Sequence, residues 1–203
     1  MIKVYLTPEE MSKCWEMAKA RHEQARGFGS KCLLEQGQEK NPIKVDAIGL
    51  YGEVAYCKAF GLPTSLVFDD DRSNLEDLQL GDVRHNGYWV DIKASEWKTA
   101  KLIYPVVKEW RCKADYLCLV TCHKNECVIR GFSSKSNFMR EENIGQIGKS
   151  RPLYMLNQDQ LTMDVPMNGL NRYNKPRRRR FSHPFDFWNN GFFDPSDPRN
   201  GEG

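Results

Sequence analysis

No pair of residues in this chain limits its folding more tightly than Asn86-Gly87. Asn-Gly between apolar, alternating segments is the strongest short-range hairpin signal, because both central residues of a type I′ turn need positive φ. As a two-residue loop it pairs His85 with Tyr88 and brings Asp82 opposite Asp91. Residues directly opposite on an antiparallel pair share a face, with Cβ atoms about 4.5–5.5 Å apart, and like charges there repel. On the returning strand Tyr88, Val90, Ile92 and Ala94 take one face, and Trp89, Asp91, Lys93 and Ser95 take the other. Asp91 and Lys93 therefore stand beside Asp82. Two carboxylates and an amine make a poor core, but they suit a hard divalent cation held through oxygen. A lysine beside a metal-bound water can orient it, or help deprotonate it, for attack on a phosphodiester.

Two helices precede this hairpin. Thr7, Pro8 and Glu10 form a capping-box start, and Met11, Cys14, Trp15, Ala18 and His22 recur at helical spacing, which predicts a helix over 7–26 ended by Gly27-Phe28-Gly29-Ser30. A second helix is predicted from Asp46 through Phe60, with Gly61 at its C-cap and Pro63 as the stop. On it Gly49, Gly52, Glu53 and Tyr56 share one face, so a third carboxylate stands on a surface stripped of bulk. Interior glycine costs a helix about 0.5–1 kcal/mol relative to alanine. Two glycines flanking Glu53 therefore predict close approach by a strand, a metal or a phosphate backbone.

From Leu66 the pattern becomes short apolar runs between turn residues: 66–68, 81–83, 88–94, 116–122 and 126–132. Helices followed by strands predict an α/β domain whose mixed sheet is covered by the N-terminal helices. The expected division is an α/β domain over 1–165 and a C-terminal tail over 166–203, where Asn, Pro, Arg, Asp and Gly dominate and little order is expected. Uncharged runs such as 116–123 fall far short of a membrane span. Mean hydropathy is −0.66 and the first residues lack an export signal's apolar stretch, so a cytoplasmic location is expected.

Glu53, then Gly81-Asp82, then Asp91-Ile92-Lys93 on a strand resembles the active-site pattern of the PD-(D/E)XK nuclease superfamily, with its restriction-endonuclease-like core. The run from Gly49 to Pro63 followed by a Gly-Asp hairpin also resembles small phage-borne members. Gly81 stands where the superfamily name has proline, and Asp91 where glutamate is commoner. The resemblance implies a metal-dependent nuclease that cleaves DNA, with RNA as a further possible substrate. By it, Asp82, Asp91 and the Ile92 carbonyl would hold magnesium or manganese, Lys93 would address the water, and Glu53 would complete the metal site. The rival reading is a catalytically silent nucleic-acid-binding or phage-type protein-interaction factor on the same fold.

Other clusters are read more plainly. Seven cysteines, an odd number scattered through helical and strand segments, suit reduced and mostly buried thiols. Cys118, Cys122, His123 and Cys127 lack a Cys-x-x-Cys knuckle and are read as strand residues rather than zinc ligands. Net charge is only +3, but Arg172, Lys175, Arg177, Arg178, Arg179 and Arg180 form a block that is either a phosphate-binding element or a solvated charge run. The aromatic residues beyond it suit docking on this core, on a second copy or on a partner protein. Trp97, Lys98, Lys101, Tyr104, Lys108, Trp110, Arg111 and Lys113 interleave bases and aromatics, either as a nucleic-acid path with Lys98 and Lys101 on phosphates or as a segment whose aromatics face the core.

Overall fold

The structure, a computed structural model, describes residues 1–27, 41–68, 82–148 and 151–164. The expected tail, with its basic block at Arg172, Lys175, Arg177, Arg178, Arg179 and Arg180, lies outside them.

A five-stranded mixed sheet organises the chain. Its strands are β1 (Ile2–Tyr5), β2 (Val83–His85), β3 (Tyr88–Ser95), β5 (Tyr116–His123) and β6 (Glu126–Ser134), in spatial order β1-β6-β5-β3-β2. β3 and β5 run parallel, and the other pairs are antiparallel. A smaller antiparallel sheet holds β4 (Leu102–Pro105), β8 (Leu153–Leu156) and β7 (Ile144–Gly145) in the order β4-β8-β7.

The first helix, α1, spans Pro8–Gly27. Its start is the predicted reciprocal cap: the Thr7 N–H donates to Glu10 Oε2 at 2.7 Å, and the Glu10 N–H donates to Thr7 Oγ1 at 3.2 Å. Cys14 and Ala18 are fully buried beneath it. The second, α2, spans Pro42–Ala59 and so begins four residues before the predicted Asp46. Asn41 caps it through Oδ1, which accepts from the N–H groups of Ile43 and Lys44, and Pro42 occupies the first turn, where no N–H is needed. At its far end the Leu62 N–H returns to the Cys57 carbonyl at 2.8 Å, just before Pro63.

Alternation along β3 and β5 divides the core in two. Val90, Ile92, Cys118 and Val120 face α1 and α2, together with Leu50, Val54, Tyr56 and Phe132. Leu117 and Leu119 face the other way and pack with Leu102, Phe138, Tyr154 and Leu156. Helices thus cover one face of the main sheet, and the small sheet with the short helix α4 (Lys135–Phe138) covers the second.

Some expectations change. Leu66-Val67-Phe68 is not a strand but part of a short helix, α3 (Ser65–Phe68), because the turn at Pro63-Thr64 sends Leu66 and Val67 N–H groups back to those carbonyls. Three apolar residues carry too little period to choose between helix and strand. β1, β4, β7 and β8 are additions to the strands read from sequence. All are four residues or fewer, and β1 and β4 find their partners, β6 and β8, far along the chain.

Candidate active site

The hairpin register is the predicted one: Val83 pairs with Val90, Arg84 with Trp89 and His85 with Tyr88. Asn86 and Gly87 both have positive φ, at 49° and 85°. Regular pairing stops at Val83. The Asp82 N–H donates to the Val90 carbonyl at 2.9 Å, so Asp82 and Val83 both face Val90 in the two-against-one manner of a bulge. Asp82 is therefore not a simple ladder partner of Asp91, which corrects the direct opposition read from the turn. Its Oδ2 instead accepts from the Ile92 N–H at 2.5 Å. A side chain has taken the place of a ladder carbonyl, and this fixes the carboxylate at the end of edge strand β2.

Asp91 and Lys93 lie on the same face of β3, as the alternation predicts. In the parallel register they stand beside Leu117 and Leu119, the two residues of β5 that face the small sheet. Lys93 Nζ donates to Asp91 Oδ1 at 2.5 Å. The Asp91 side chain is 12% exposed and that of Lys93 36%, so the charged pair is largely seated in the protein. The Lys93 ammonium also lies 5.4 Å from the Tyr104 ring centroid, within cation–π range. Sequence reasoning did not link Tyr104 to Lys93. Nothing in local spacing could, because the contact depends on β4 folding back against β8.

Glu53 approaches from the helical face. Gly52 beside it shows why: a Cβ there would lie 2.7 Å from the Ala94 Cβ and 3.5 Å from Ile92 Cγ2. The missing side chain lets α2 rest directly on β3. Gly49 has nothing within 4 Å of such a Cβ, so only one of the two glycines marks a close approach. Glu53 is 6% exposed, and its charge reaches Cys14 on α1 and Cys57 one turn on. Burial and that neighbouring carboxylate raise the Cys57 thiol to about 11.

Asp82 joins the two faces electrostatically. Burial, then Glu53, then Asp91 push its pKa well above the usual carboxylate range, against the opposing pull of Lys93 and the Ile92 N–H. For Lys93, burial works to lower the pKa, but Asp91 and Asp82 outweigh it, and the net shift is upward. The ammonium form is thereby held at neutral pH. The site is a small field of mutually repelling carboxylates around one cation. Among the described residues, no group of three or more His, Cys, Asp and Glu side chains is gathered for metal ligation as it stands. Asp91 is turned to Lys93 and Asp82 to Ile92.

Cys118, Cys122 and Cys127 are buried free thiols, whereas His123 is exposed. Cys122 and Cys127 face each other across the β5–β6 hairpin with sulfurs 3.1 Å apart. Lys98 and Lys101 are exposed on the connection between β3 and β4. Trp97 and Trp110 are 62% and 65% exposed, whereas Tyr104 between them is half-buried against the cluster of Leu102, Leu117 and Leu119, so the segment divides its aromatics between solvent and core.

No protein-family model, curated protein or solved structure matches the chain. Among the described residues no helix is long and apolar enough to cross a membrane.

Proposed function

We propose that this chain is a metal-dependent nuclease that hydrolyses phosphodiester bonds of DNA on a restriction-endonuclease-like core. The observation that carries the reading is the electrostatic linkage of Asp82 with Glu53, Asp91 and Lys93, four residues from a helix, an edge strand and a central strand. Three carboxylates against one ammonium leave surplus negative charge when all are ionised, and burial sharpens the repulsion. Such oxygen donors fit magnesium, or manganese in its place. Asp82, Asp91, Glu53 and the Ile92 carbonyl would hold the ion, which when bound would neutralise the carboxylates and polarise a phosphodiester oxygen.

The chain's own groups have distinct tasks. Lys93, kept protonated by Asp91 and Asp82, acts as a donor: it orients the attacking water and faces the negative charge that grows at phosphorus. Asp91 fixes that ammonium on one side and the Tyr104 ring borders it on another. The bond from Ile92 to Asp82 holds the edge carboxylate in register with the strand that carries both partners.

Incubation of the pure chain with supercoiled, linear and single-stranded DNA, and with RNA, tests this reading. The expected result is cleavage of DNA that requires magnesium or manganese and stops on chelation. Absence of cleavage of every form in both metals would overturn it. A second reading, a silent nucleic-acid-binding factor, is favoured by the closed Asp91–Lys93 pair, which already satisfies both groups without a metal. It predicts binding without cleavage.

A further inference from the structure

Residues 96–113, which lead away from Lys93 and return to border it, carry large apolar surface that the fold does not use. Trp97 is 62% exposed, Trp110 65%, Val107 53% and Ile103 40%. Tryptophan left in water on a loose loop would mean little, but this segment is pinned. Gln158 Nε2 donates to the carbonyls of Lys98 and Ala100 at 2.7 and 2.9 Å, and the Ala100 N–H closes a turn onto the Trp97 carbonyl at 3.0 Å. On the far side of β4, Glu109 is fixed by the Tyr154 hydroxyl at 2.6 Å. The two tryptophans thus stand on fixed backbone at either end of β4, whose Tyr104 contacts Lys93 between them.

Charge identifies the occupant. The same stretch holds Lys98, Lys101, Lys108, Arg111 and Lys113, and its acids are engaged: Glu96 by Lys44 at 2.6 Å, and Glu109 by Tyr154. The Arg111 guanidinium lies over one face of the Trp110 ring, 4.7 Å from its centroid, which couples a cation to the aromatic surface. Cations interleaved with exposed aromatics fit phosphates alternating with bases. Duplex DNA offers no free base faces, only groove edges, and the segment has no helix of useful length to enter a major groove, only a four-residue strand and a six-residue 3-10 helix.

We infer that residues 96–113 form a binding surface for single-stranded DNA, in which Trp97 and Trp110 stack on unpaired bases while the neighbouring lysines and Arg111 take the phosphates. The site thereby selects unpaired strands for presentation to Lys93. This deepens the nuclease reading and rests on it for the cleavage that would follow, although binding can be read without cleavage.

The test is a titration of the full chain with oligothymidine in the presence of EDTA, so that inactivity and failure to bind are separate results. Tryptophan fluorescence should be quenched, with affinity falling as salt rises and exceeding that for a duplex of equal length. Trp97→Ala and Trp110→Ala should each weaken single-strand binding roughly 5- to 150-fold, with duplex binding little changed. Trp97→Phe and Trp110→Phe should keep most of the affinity, and Lys98→Glu with Lys101→Glu reads the phosphate side independently of both rings. Duplex bound as tightly as single strand by the unaltered chain, alanine variants that bind normally, or attachment to phosphatidylserine vesicles without binding to oligothymidine would each overturn the inference. Single-strand binding with no cleavage in metal would leave the surface standing and remove the nuclease.

Discussion

The two faces of the main sheet solve different problems with the same strands. Under α1 and α2 the side chains of β3 and β5 are Val90, Ile92, Cys118 and Val120, closed off by Leu50, Val54 and Tyr56. Its polar groups are paired internally, as in the 2.7 Å bond between the Tyr56 hydroxyl and His85 Nδ1. On the other face the same two strands offer Asp91 and Lys93 beside Leu117 and Leu119. There burial is incomplete, and like charges are held together against their repulsion. One face spends its contacts on stability, at about 1.5–3 kcal/mol for each large side chain fully buried. The second tolerates electrostatic strain, as sites for chemistry commonly do. Glu53 and Asp82 are the exceptions that tie the faces together.

Removing the cation from the charged face should produce the largest effect. Lys93→Ala is expected to lower the cleavage rate roughly 10²- to 10⁴-fold while DNA binding persists. Lys93→Arg should rescue only in part, because the broad planar guanidinium cannot reproduce the point charge of an amine seated between Asp91 and Tyr104. Single-turnover rates at saturating DNA check both, and a Lys93→Ala chain that cleaves normally would end the distinction between the faces.

Asp82→Asn should separate stability from activity. The amide oxygen can still accept from Ile92, but the charge that Glu53 and Asp91 oppose is gone. A carboxylate with a raised folded pKa costs stability as pH rises, because above the unfolded value, about 3.9, the unfolded chain ionises while the folded one resists. In EDTA, the unfolding temperature of the variant should therefore exceed that of the natural chain at neutral pH and converge with it below about pH 4. Cleavage should also fall. A variant less stable at neutral pH would show that the field around Asp82 is not repulsive.

Smaller effects should come from the helical face. Gly52→Ala places a Cβ 2.7 Å from that of Ala94 and must lift α2 from the sheet, at about 1–3 kcal/mol. Gly49→Ala, one turn earlier, meets nothing within 4 Å and should instead stabilise by about 0.5–1 kcal/mol. Denaturant unfolding measures both. Equal effects at the two positions would mean that α2 does not rest on β3 as described.

The local elements were legible because their determinants are local. A reciprocal cap at Thr7 and Glu10 needs three residues, and a type I′ turn needs Asn86-Gly87 and the alternation beside it. From these follow the register of β2 and β3 and the common face of Asp91 and Lys93. The bulge at Asp82 was not legible, because its side chain captured an N–H that a ladder carbonyl would ordinarily serve. Nor was the difference between Gly49 and Gly52, which depends on where Ala94 lies in space. The exposure of Trp97 and Trp110 was equally hidden. Composition cannot tell which aromatics of 96–113 pack on the core, as Tyr104 does, and which are left in solvent, as Trp97 and Trp110 are. Turn and cap chemistry acts over a few residues and is written in order along the chain. The company that a carboxylate or a tryptophan keeps depends on segments far apart in sequence, and only packing brings them together.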